Sequence, residues 1–127
     1  MAKTRVMVVD DEEHFLIIIK VNLQNTGRFE VMTLRRATDL VSKAQAFKPD
    51  IIFLDILMPH IDGFEACKML KADPSTKDIP IIALTALDTD KDKNAMLKLG
   101  ASSFLTKPIE KDELIAKIDN VLGFKKQ

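Results

Sequence analysis

The strongest constraint on the fold is a regular alternation of short apolar runs with longer amphipathic segments. The short runs are rich in β-branched residues and too brief for a helix, which is typical of buried strands. The predicted strands are Val6–Val9, Phe29–Leu34, Ile51–Leu54, Ile81–Leu84 and Ser103–Leu105. In the segments between and after them, apolar residues recur at helical spacing. The predicted helices are Glu12–Thr26, Thr38–Phe47, Asp62–Lys71, Thr89–Leu99 and Glu110–Leu122.

This alternation predicts an α/β fold, a (βα)5 doubly wound parallel sheet with right-handed crossovers. Four runs are almost continuously apolar, as expected for strands covered on both faces. The run Phe29–Leu34 is interrupted by Glu30 and Thr33, which favours an edge strand. A flavodoxin-like strand order, 2-1-3-4-5, places it there, although periodicity alone does not fix the order. Arg35 and Arg36, which follow this strand, are then expected to lie away from the other strand ends.

Length and composition exclude several classes of protein. The 127 residues fit one domain spanning 1–127. Lys+Arg and Asp+Glu are balanced at 19 each, and Trp and Tyr are absent, so neither direct nucleic acid binding nor attraction to a membrane is indicated. The single Cys67 excludes an intramolecular disulfide framework. Val6–Val9 is too short for a signal peptide and Leu16–Ile19 too short for a membrane span. We therefore expect a cytoplasmic protein.

Polar side chains of particular types stand at the ends of four predicted strands. Asp10 and Asp11 follow the first strand, Asp55 follows the third, Thr85 ends the fourth and Lys107 follows the fifth. Ligands in open α/β sheets bind at the carboxyl ends of the strands, where the strand order reverses. In the 2-1-3-4-5 order that point lies between the first and third strands. The three aspartates are therefore expected to meet there.

Three carboxylates placed together repel one another unless a cation lies among them. Oxygen ligands of this kind suit Mg²⁺, which binds through a few carboxylates and keeps several waters. The formal charges of Asp10, Asp11 and Asp55 sum to −3, and Mg²⁺ and Lys107 together contribute +3, so the site is close to neutral. A nearly neutral site can then accept a dianionic phosphoryl group, with the Thr85 hydroxyl as a further donor. The pattern therefore indicates phosphoryl transfer assisted by Mg²⁺.

Each of these signals also has a simpler explanation. Asp10 and Asp11 are suited to cap the following helix, and taken alone they favour that role. Asp55 and Thr85 are ordinary turn residues, and one Lys-Pro pair is a weak signal. The functional interpretation rests on convergence, because separate strand ends each supply the residue type that this chemistry needs.

Four segments carry a resemblance to a known family, and the resemblance covers essentially the whole chain. VVDDEE, IIFLDILMPHIDGFE, IIALTA and SSFLTKPI resemble the response regulator receiver domains, the CheY-like proteins of two-component signalling. The resemblance implies that a histidine kinase or phosphotransfer protein donates a phosphoryl group in a Mg²⁺-dependent reaction. It also implies that the surface of helix 4, strand 5 and helix 5 then signals to a partner or effector. Such a domain is no enzyme on external substrates and catalyses only its own phosphorylation and dephosphorylation.

The resemblance assigns the acidic residues to separate roles. Asp55 is similar to the phosphoacceptor of the family. Asp11 and Asp55 are similar to its direct metal ligands, and Asp10 to the residue that holds a metal-bound water. The backbone carbonyl of Leu57 is expected to be a further ligand. The expected cofactor is therefore Mg²⁺.

The resemblance also assigns residues that bind the phosphoryl group and transmit the signal. Thr85 is similar to the switch hydroxyl, and Lys107 to the phosphate-binding lysine, with a cis peptide to Pro108. Phe104 occupies the position of an aromatic residue that rotates on activation. This family position is often Tyr, so a contact that needs the tyrosine hydroxyl is lost here.

The first predicted helix has more apolar residues than one core-facing stripe needs. The predicted core face comprises Phe15, Ile18, Ile19 and Leu23. Ile17 and Val21 fall on the opposite side, with Leu16 towards its flank. The family resemblance suggests that this surface docks the helical hairpin of the phosphodonor. The alternatives are isolated surface aliphatics, which are common, and burial in a homo-oligomer. Among partners, the resemblance also allows a phosphorylation-dependent dimer.

Three other functions fit the sequence less well. A phosphatase of the haloacid dehalogenase type needs a second Asp two residues after its nucleophile, where this chain has Leu57. An FMN carrier of the flavodoxin type needs a phosphate-binding loop after the first strand, where this chain has two acids. A degenerate receiver that only binds partners is disfavoured by the complete set of acids, Thr85 and Lys107.

Overall fold

The computed structural model describes residues 3–56, 63–86 and 90–123, which form alternating strands and helices. The strands are β1 (Thr4–Val9), β2 (Phe29–Leu34), β3 (Ile51–Asp55), β4 (Ile81–Thr85) and β5 (Ser103–Thr106). The helices are α1 (Glu13–Asn25), α2 (Leu40–Phe47), α3 (Gly63–Ala72), α4 (Asp90–Lys98) and α5 (Lys111–Leu122). None of the described helices combines the length and the apolar character needed to cross a membrane.

The strands form one parallel sheet in the order β2-β1-β3-β4-β5, which confirms the predicted fold. The more polar β2 occupies an edge, where it pairs with β1 from Thr4↔Phe29 to Val9↔Leu34. The central strands β3 and β4 are buried along their whole length. Continuous apolar runs were therefore a reliable signal for strands covered by helices on both faces.

The helices cover the sheet in two layers, and each layer has its own apolar core. On one face, Val6 and Val8 pack in a cluster with residues of α1 and α5. On the other face, Met7 and Val9 pack in a cluster with residues of α2, α3 and α4. This division follows from the strand repeat, because successive side chains of β1 point to opposite faces.

The orientation of α1 corrects part of the prediction. Leu16, Ile19 and Leu23 are buried against the sheet, whereas Ile18 is 58% exposed. The prediction placed Ile18 in the core and Leu16 near the docking surface, and both placements were wrong. Residues 15–19 are all apolar, so helical spacing did not distinguish one face from another. Since Leu16 is 3% exposed, it is a core residue and is not available to a docking partner.

Candidate functional site

The carboxyl ends of β1 and β3 bring three carboxylates together. Oxygen atoms of Asp10, Asp11 and Asp55 all lie within 4.8 Å of one another. Asp10 follows β1 directly, and its backbone N–H donates to the carbonyl of Leu34 in β2 at 3.0 Å. Asp55 is the last residue of β3 and pairs in register with Leu84 of β4. The parallel register of adjacent strands therefore places acids that are distant in sequence at one edge of the sheet.

Lys107 extends its ammonium group into this acidic cluster. Its Nζ lies 2.7 Å from Asp10 Oδ2 and 3.4 Å from Asp55 Oδ2. The backbone N–H of Lys107 donates to the carbonyl of Thr85 at 2.8 Å, and the Lys107–Pro108 peptide bond is cis. The segment after β5 is thereby held against the end of β4, with its lysine directed at the acids.

Burial makes the acidic cluster costly in the absence of a further cation. Asp10 is completely buried and Asp55 is 4% exposed. Asp10 Oδ2 accepts no well-directed hydrogen bond from the described residues, so its contact with Lys107 is an ion pair. Desolvation raises the pKa of Asp10, although the contact with Lys107 and the Glu12 N–H partly offset this effect. A buried, incompletely satisfied carboxylate among two others is the kind of donor set that a hard divalent cation fits.

The pKa of Lys107 shifts in the direction that keeps its ammonium charged. Burial by itself lowers the pKa, but the contacts with Asp10, Asp55 and Glu12 together outweigh burial and raise it. The ammonium therefore stays protonated at neutral pH and supplies one fixed positive charge to the site.

The two residues with predicted switch roles lie on neighbouring strands. Thr85 ends β4, between β3 and β5, and is 1% exposed. Phe104 lies in β5 in register with Ala83 and is partly buried against the cluster that includes α4. The Lys93 ammonium of α4 lies 4.6 Å from the centre of the Phe104 ring. Phe104 thus lies beside β4 and contacts Lys93 of α4.

Gly63 supports the position of Asp55 through a close backbone approach that the sequence alone does not show. A Cβ added at Gly63 would overlap the Cα of Ile56 and lie 2.7 Å from the carbonyl oxygen of Asp55. The Gly63 N–H donates to the Ile56 carbonyl at 2.9 Å. Gly63 is needed for the close approach of two backbone segments, because a side chain would push α3 away from Asp55.

Glu12 is a site residue that the sequence analysis missed. Its Oε1 accepts a hydrogen bond from Lys107 Nζ at 3.2 Å, although the Glu12 side chain is 64% exposed. Phe15, one turn into α1, places its ring centre 5.5 Å from the same ammonium. The available signal was a third acid after Asp10 and Asp11, but a run of acids at a helix start is ordinarily explained by the helix dipole.

Arg35 and Arg36 lie beside Asp11, which corrects the expectation that they would be remote from the other strand ends. These three residues help to line a cleft of about 640 Å³ at the end of β2, together with Lys43 and Asp39. Arg35 Nη1 also lies 3.7 Å from Glu13 Oε2 of α1. Because β1 is adjacent to β2, even the edge strand ends next to the acidic pair.

Three parts of the sequence prediction fall beyond what the structure describes. The predicted start of the third helix at Asp62 is one of them. Leu57, whose carbonyl is expected to bind the metal, lies outside the described residues. The predicted start of the fourth helix at Thr89 does so as well.

Comparison with known proteins identifies one family over most of the chain. The model of the response regulator receiver domain matches residues 6–119. The response regulator PleD of Caulobacter vibrioides is 40% identical over 121 residues, which are 95% of this chain and 26% of PleD. The chain spans between about a quarter and about half of the length of several curated relatives that it matches.

Solved structures extend this similarity to three dimensions. The chemotaxis protein CheY4 of Vibrio cholerae matches with a TM-score of 0.88 and 30% identity, over 94% of this chain and 99% of that chain. The receiver domain of the sensor histidine kinase PA1611 from Pseudomonas aeruginosa PAO1 matches with a TM-score of 0.85 and 27% identity. That match covers 96% of this chain and 99% of the other, whose structure has a magnesium ion coordinated in its active site cleft.

Proposed function

This chain belongs to the response regulator receiver family, and we propose that it is a signalling switch in which Asp55 accepts a phosphoryl group. The observation that carries the proposal is the environment of Asp55. Its carboxylate is nearly buried, shares a cluster with Asp10 and Asp11, and lies 3.4 Å from the Lys107 ammonium. A nucleophilic carboxylate beside two further acids and one fixed cation is suited to phosphoryl transfer with a divalent metal.

The cofactor we propose is Mg²⁺, held by Asp11 and Asp55 with Asp10 acting through a water. The backbone carbonyl of Leu57 completes the protein ligands in this proposal. When bound, the metal would neutralise the charge that develops on the transferring phosphoryl oxygens. The acidic cluster supports this assignment, because its three negative charges exceed the one positive charge that Lys107 provides.

In the proposed reaction, a carboxylate oxygen of Asp55 attacks the phosphorus of a phosphohistidine on a partner protein. A phosphorus–oxygen bond forms and the phosphorus–nitrogen bond breaks, so the leaving imidazole takes the electron pair of that bond and a proton from solvent. Lys107 contributes a positive charge to the phosphoryl oxygens, and its raised pKa keeps that charge in place. The buried position of Asp55 limits competing water at the reacting oxygen.

The signal would be transmitted by Thr85 and Phe104. We propose that the Thr85 hydroxyl turns towards the new phosphoryl group and that Phe104 moves into the space it leaves. Phe104 contacts Lys93 of α4, so this movement would alter the surface of α4, β5 and α5 that a target protein binds. Phosphorylation-dependent dimerisation through the same surface is one form that this output can take.

The proposed phosphodonor is a sensor histidine kinase or a histidine phosphotransfer protein that docks on α1. Ile17, Ile18 and Val21 are 53%, 58% and 51% exposed and share one side of the helix. Ile18 replaces Leu16 in this surface, since Leu16 is buried. An apolar patch on the helix that begins beside Asp11 would suit insertion between helices of the donor. A cytoplasmic location and the lack of direct nucleic acid binding stay predictions from the sequence.

Phosphorylation by acetyl phosphate tests the proposed function directly. Wild-type protein should acquire one phosphoryl group that alkali or hydroxylamine releases when Mg²⁺ is present, and Asp55→Asn should acquire none. Titration of Mg²⁺, followed by amide NMR shifts, should give clearly weaker binding for Asp11→Ala than for wild type. Equal labelling of wild type and Asp55→Asn would reject Asp55, and a wild-type protein that is never labelled would favour a receiver that only binds partners.

A further inference from the structure

The Lys107 ammonium contacts carboxylates of two kinds, buried and exposed. Its Nζ lies 2.7 Å from Asp10 and 3.4 Å from Asp55, both in the buried cluster. It also lies 3.2 Å from Glu12, whose side chain is largely in solvent. The proposed function requires this single ammonium to contact phosphoryl oxygens instead. Any carboxylate that holds Lys107 before phosphorylation therefore competes with the incoming group.

Glu12 differs from the other two carboxylates in what happens to its charge. Asp55 gives up its carboxylate when it becomes the acyl phosphate, and Asp10 lies in the cluster whose charge a metal balances. Among the described residues, the Glu12 carboxylate contacts the Lys107 ammonium. Its negative charge, 3.2 Å from Lys107, would also repel a dianionic donor. Both effects oppose the approach of a phosphoryl group.

We propose that Glu12 is a positioning residue that holds Lys107 in the unphosphorylated protein and competes with the phosphoryl group for its ammonium. This inference rests on the proposed phosphorylation of Asp55 and names one residue that would tune it. Glu12 also links the site to α1, because it directly precedes the helix whose exposed side is the proposed docking surface. Transfer of Lys107 to the phosphoryl group would release this contact with the start of α1.

The local structure makes Glu12→Gln a clean substitution. Glu12 is the cap residue of α1, but its side chain makes no capping hydrogen bond. The Glu12 backbone N–H donates to Asp10 Oδ1 at 2.9 Å, and this hydrogen bond does not depend on the Glu12 side chain. Glu13→Gln is a matched control, since it removes the same charge one residue later. The Glu13 side chain is 60% exposed, close to the 64% of Glu12, and it faces Arg35 rather than Lys107.

The test measures phosphorylation by acetyl phosphate at saturating Mg²⁺ in wild type and both variants. Exposed ion pairs contribute up to about 1 kcal/mol, so Glu12→Gln should lower the half-saturating donor concentration about two- to fivefold. The maximal rate should change less, because the substitution mainly affects how readily Lys107 meets the incoming group. Glu13→Gln should show only the smaller effect of the general change in charge. Equal effects of the two variants, or slower phosphorylation of Glu12→Gln, would overturn the proposal.

A second measurement keeps the inference separate from the proposed function. In metal-free protein without a phosphodonor, the side-chain ammonium NMR signal of Lys107 should shift in Glu12→Gln and stay in place in Glu13→Gln. Failure of wild type to be phosphorylated would reject the proposed function without changing this signal. An unchanged Lys107 signal in Glu12→Gln would reject the role of Glu12 even in a protein that is phosphorylated normally.

Discussion

The amino ends of the five strands form one side of the sheet, here called the amino edge, and their carboxyl ends form the carboxyl edge. Both concentrate charged residues, but they arrange them in opposite ways. At the amino edge, Arg5 donates from Nε to the Phe47 carbonyl at 2.7 Å and pairs with Glu30 at 2.6 Å. These groups are partly exposed, and the charges of Arg5 and Glu30 are paired with each other. At the carboxyl edge, Asp10 and Asp55 are buried and share Lys107. The amino edge is electrostatically satisfied, whereas the carboxyl edge carries an excess of buried negative charge.

Two aspartates illustrate the difference between the edges. Asp73, in the loop before β4, accepts hydrogen bonds from the side chain and backbone of Ser75, and these lower its pKa. Asp10 loses solvent on burial, and desolvation raises its pKa despite Lys107. The same residue type is therefore stabilised as an anion at one edge and destabilised at the other. A folded protein retains such a cost where a function, here the proposed binding of a cation and a phosphoryl group, makes use of it.

The largest expected effect concerns the docking surface near the carboxyl edge. Ile17→Glu combined with Val21→Lys should slow transfer from a cognate histidine kinase by at least about tenfold, as expected for loss of apolar anchors. Phosphorylation by acetyl phosphate should be nearly unchanged, because a small donor needs no docking surface. The measurement is the rate of labelling with each donor. Loss of both reactions would indicate misfolding, and loss of neither would leave this surface without a docking role.

Two glycines test whether the edges differ in function as well as in stability. Gly63→Ala at the carboxyl edge should lower the free energy of unfolding by about 1–3 kcal/mol, because its Cβ overlaps the backbone of Ile56. It should also slow phosphorylation by displacing Asp55.

The control for Gly63 is Gly27→Ala, in the loop before β2 at the amino edge. Gly27 has φ +79°, and a Cβ added there would meet only open space. The left-handed conformation should cost about 1–2 kcal/mol. Phosphorylation should not change. Urea denaturation and the acetyl phosphate assay measure the two quantities, and equal loss of phosphorylation in both variants would show that the effect of Gly63→Ala is not local.

Arg5 tests the assignment of the amino edge to stability. Arg5→Ala removes the hydrogen bond to Phe47, the pair with Glu30 and a contact with the Phe47 ring at 4.3 Å. The free energy of unfolding should fall by about 1–2 kcal/mol, with no change in phosphorylation. Arg35→Ala is a control for stability, because its longer pair with Glu13 should contribute less than about 0.5 kcal/mol. Similar losses of stability in the two variants would contradict the expectation that the Arg5 contacts stabilise the fold more than the Arg35 pair does.

The smallest expected effect is the pH dependence of the Asp73 contribution. A carboxyl whose pKa is lowered on folding adds stability that is fully present above its ordinary value of 3.8. That stability is lost as the pH falls through the lower pKa of the folded state. Wild type should therefore exceed Asp73→Asn in unfolding free energy at neutral pH, and the difference should shrink as the pH falls below 3.8. Urea denaturation of both proteins from neutral to acidic pH measures this difference in unfolding free energy. A difference that stays constant with pH would show that the charge of Asp73 does not contribute to stability.

The sequence by itself determined the fold and the meeting of the acidic residues, because both depend on the repeat of the strand and on the order of the elements. Continuous apolar runs identified strands covered on both faces, and interruption by Glu30 and Thr33 identified β2 as one of the two edge strands. Parallel strands end at one edge, so Asp10 and Asp55 were expected to meet, and the structure places them within one cluster. These predictions needed only the repeat of the strand and the order of the elements.

The tertiary structure decided the contacts that depend on rotation, reach and close approach. The five consecutive apolar residues 15–19 left the orientation of α1 open until packing against the sheet buried Leu16 and exposed Ile18. Gly63 showed its role only when α3 was placed against the backbone of Ile56. Glu12 could be connected to Lys107, which is 95 residues away in sequence, only once the ends of β1 and β5 had been placed along one edge of the sheet. Periodicity describes which residues share a face of one element, whereas these contacts depend on how separate elements meet in space.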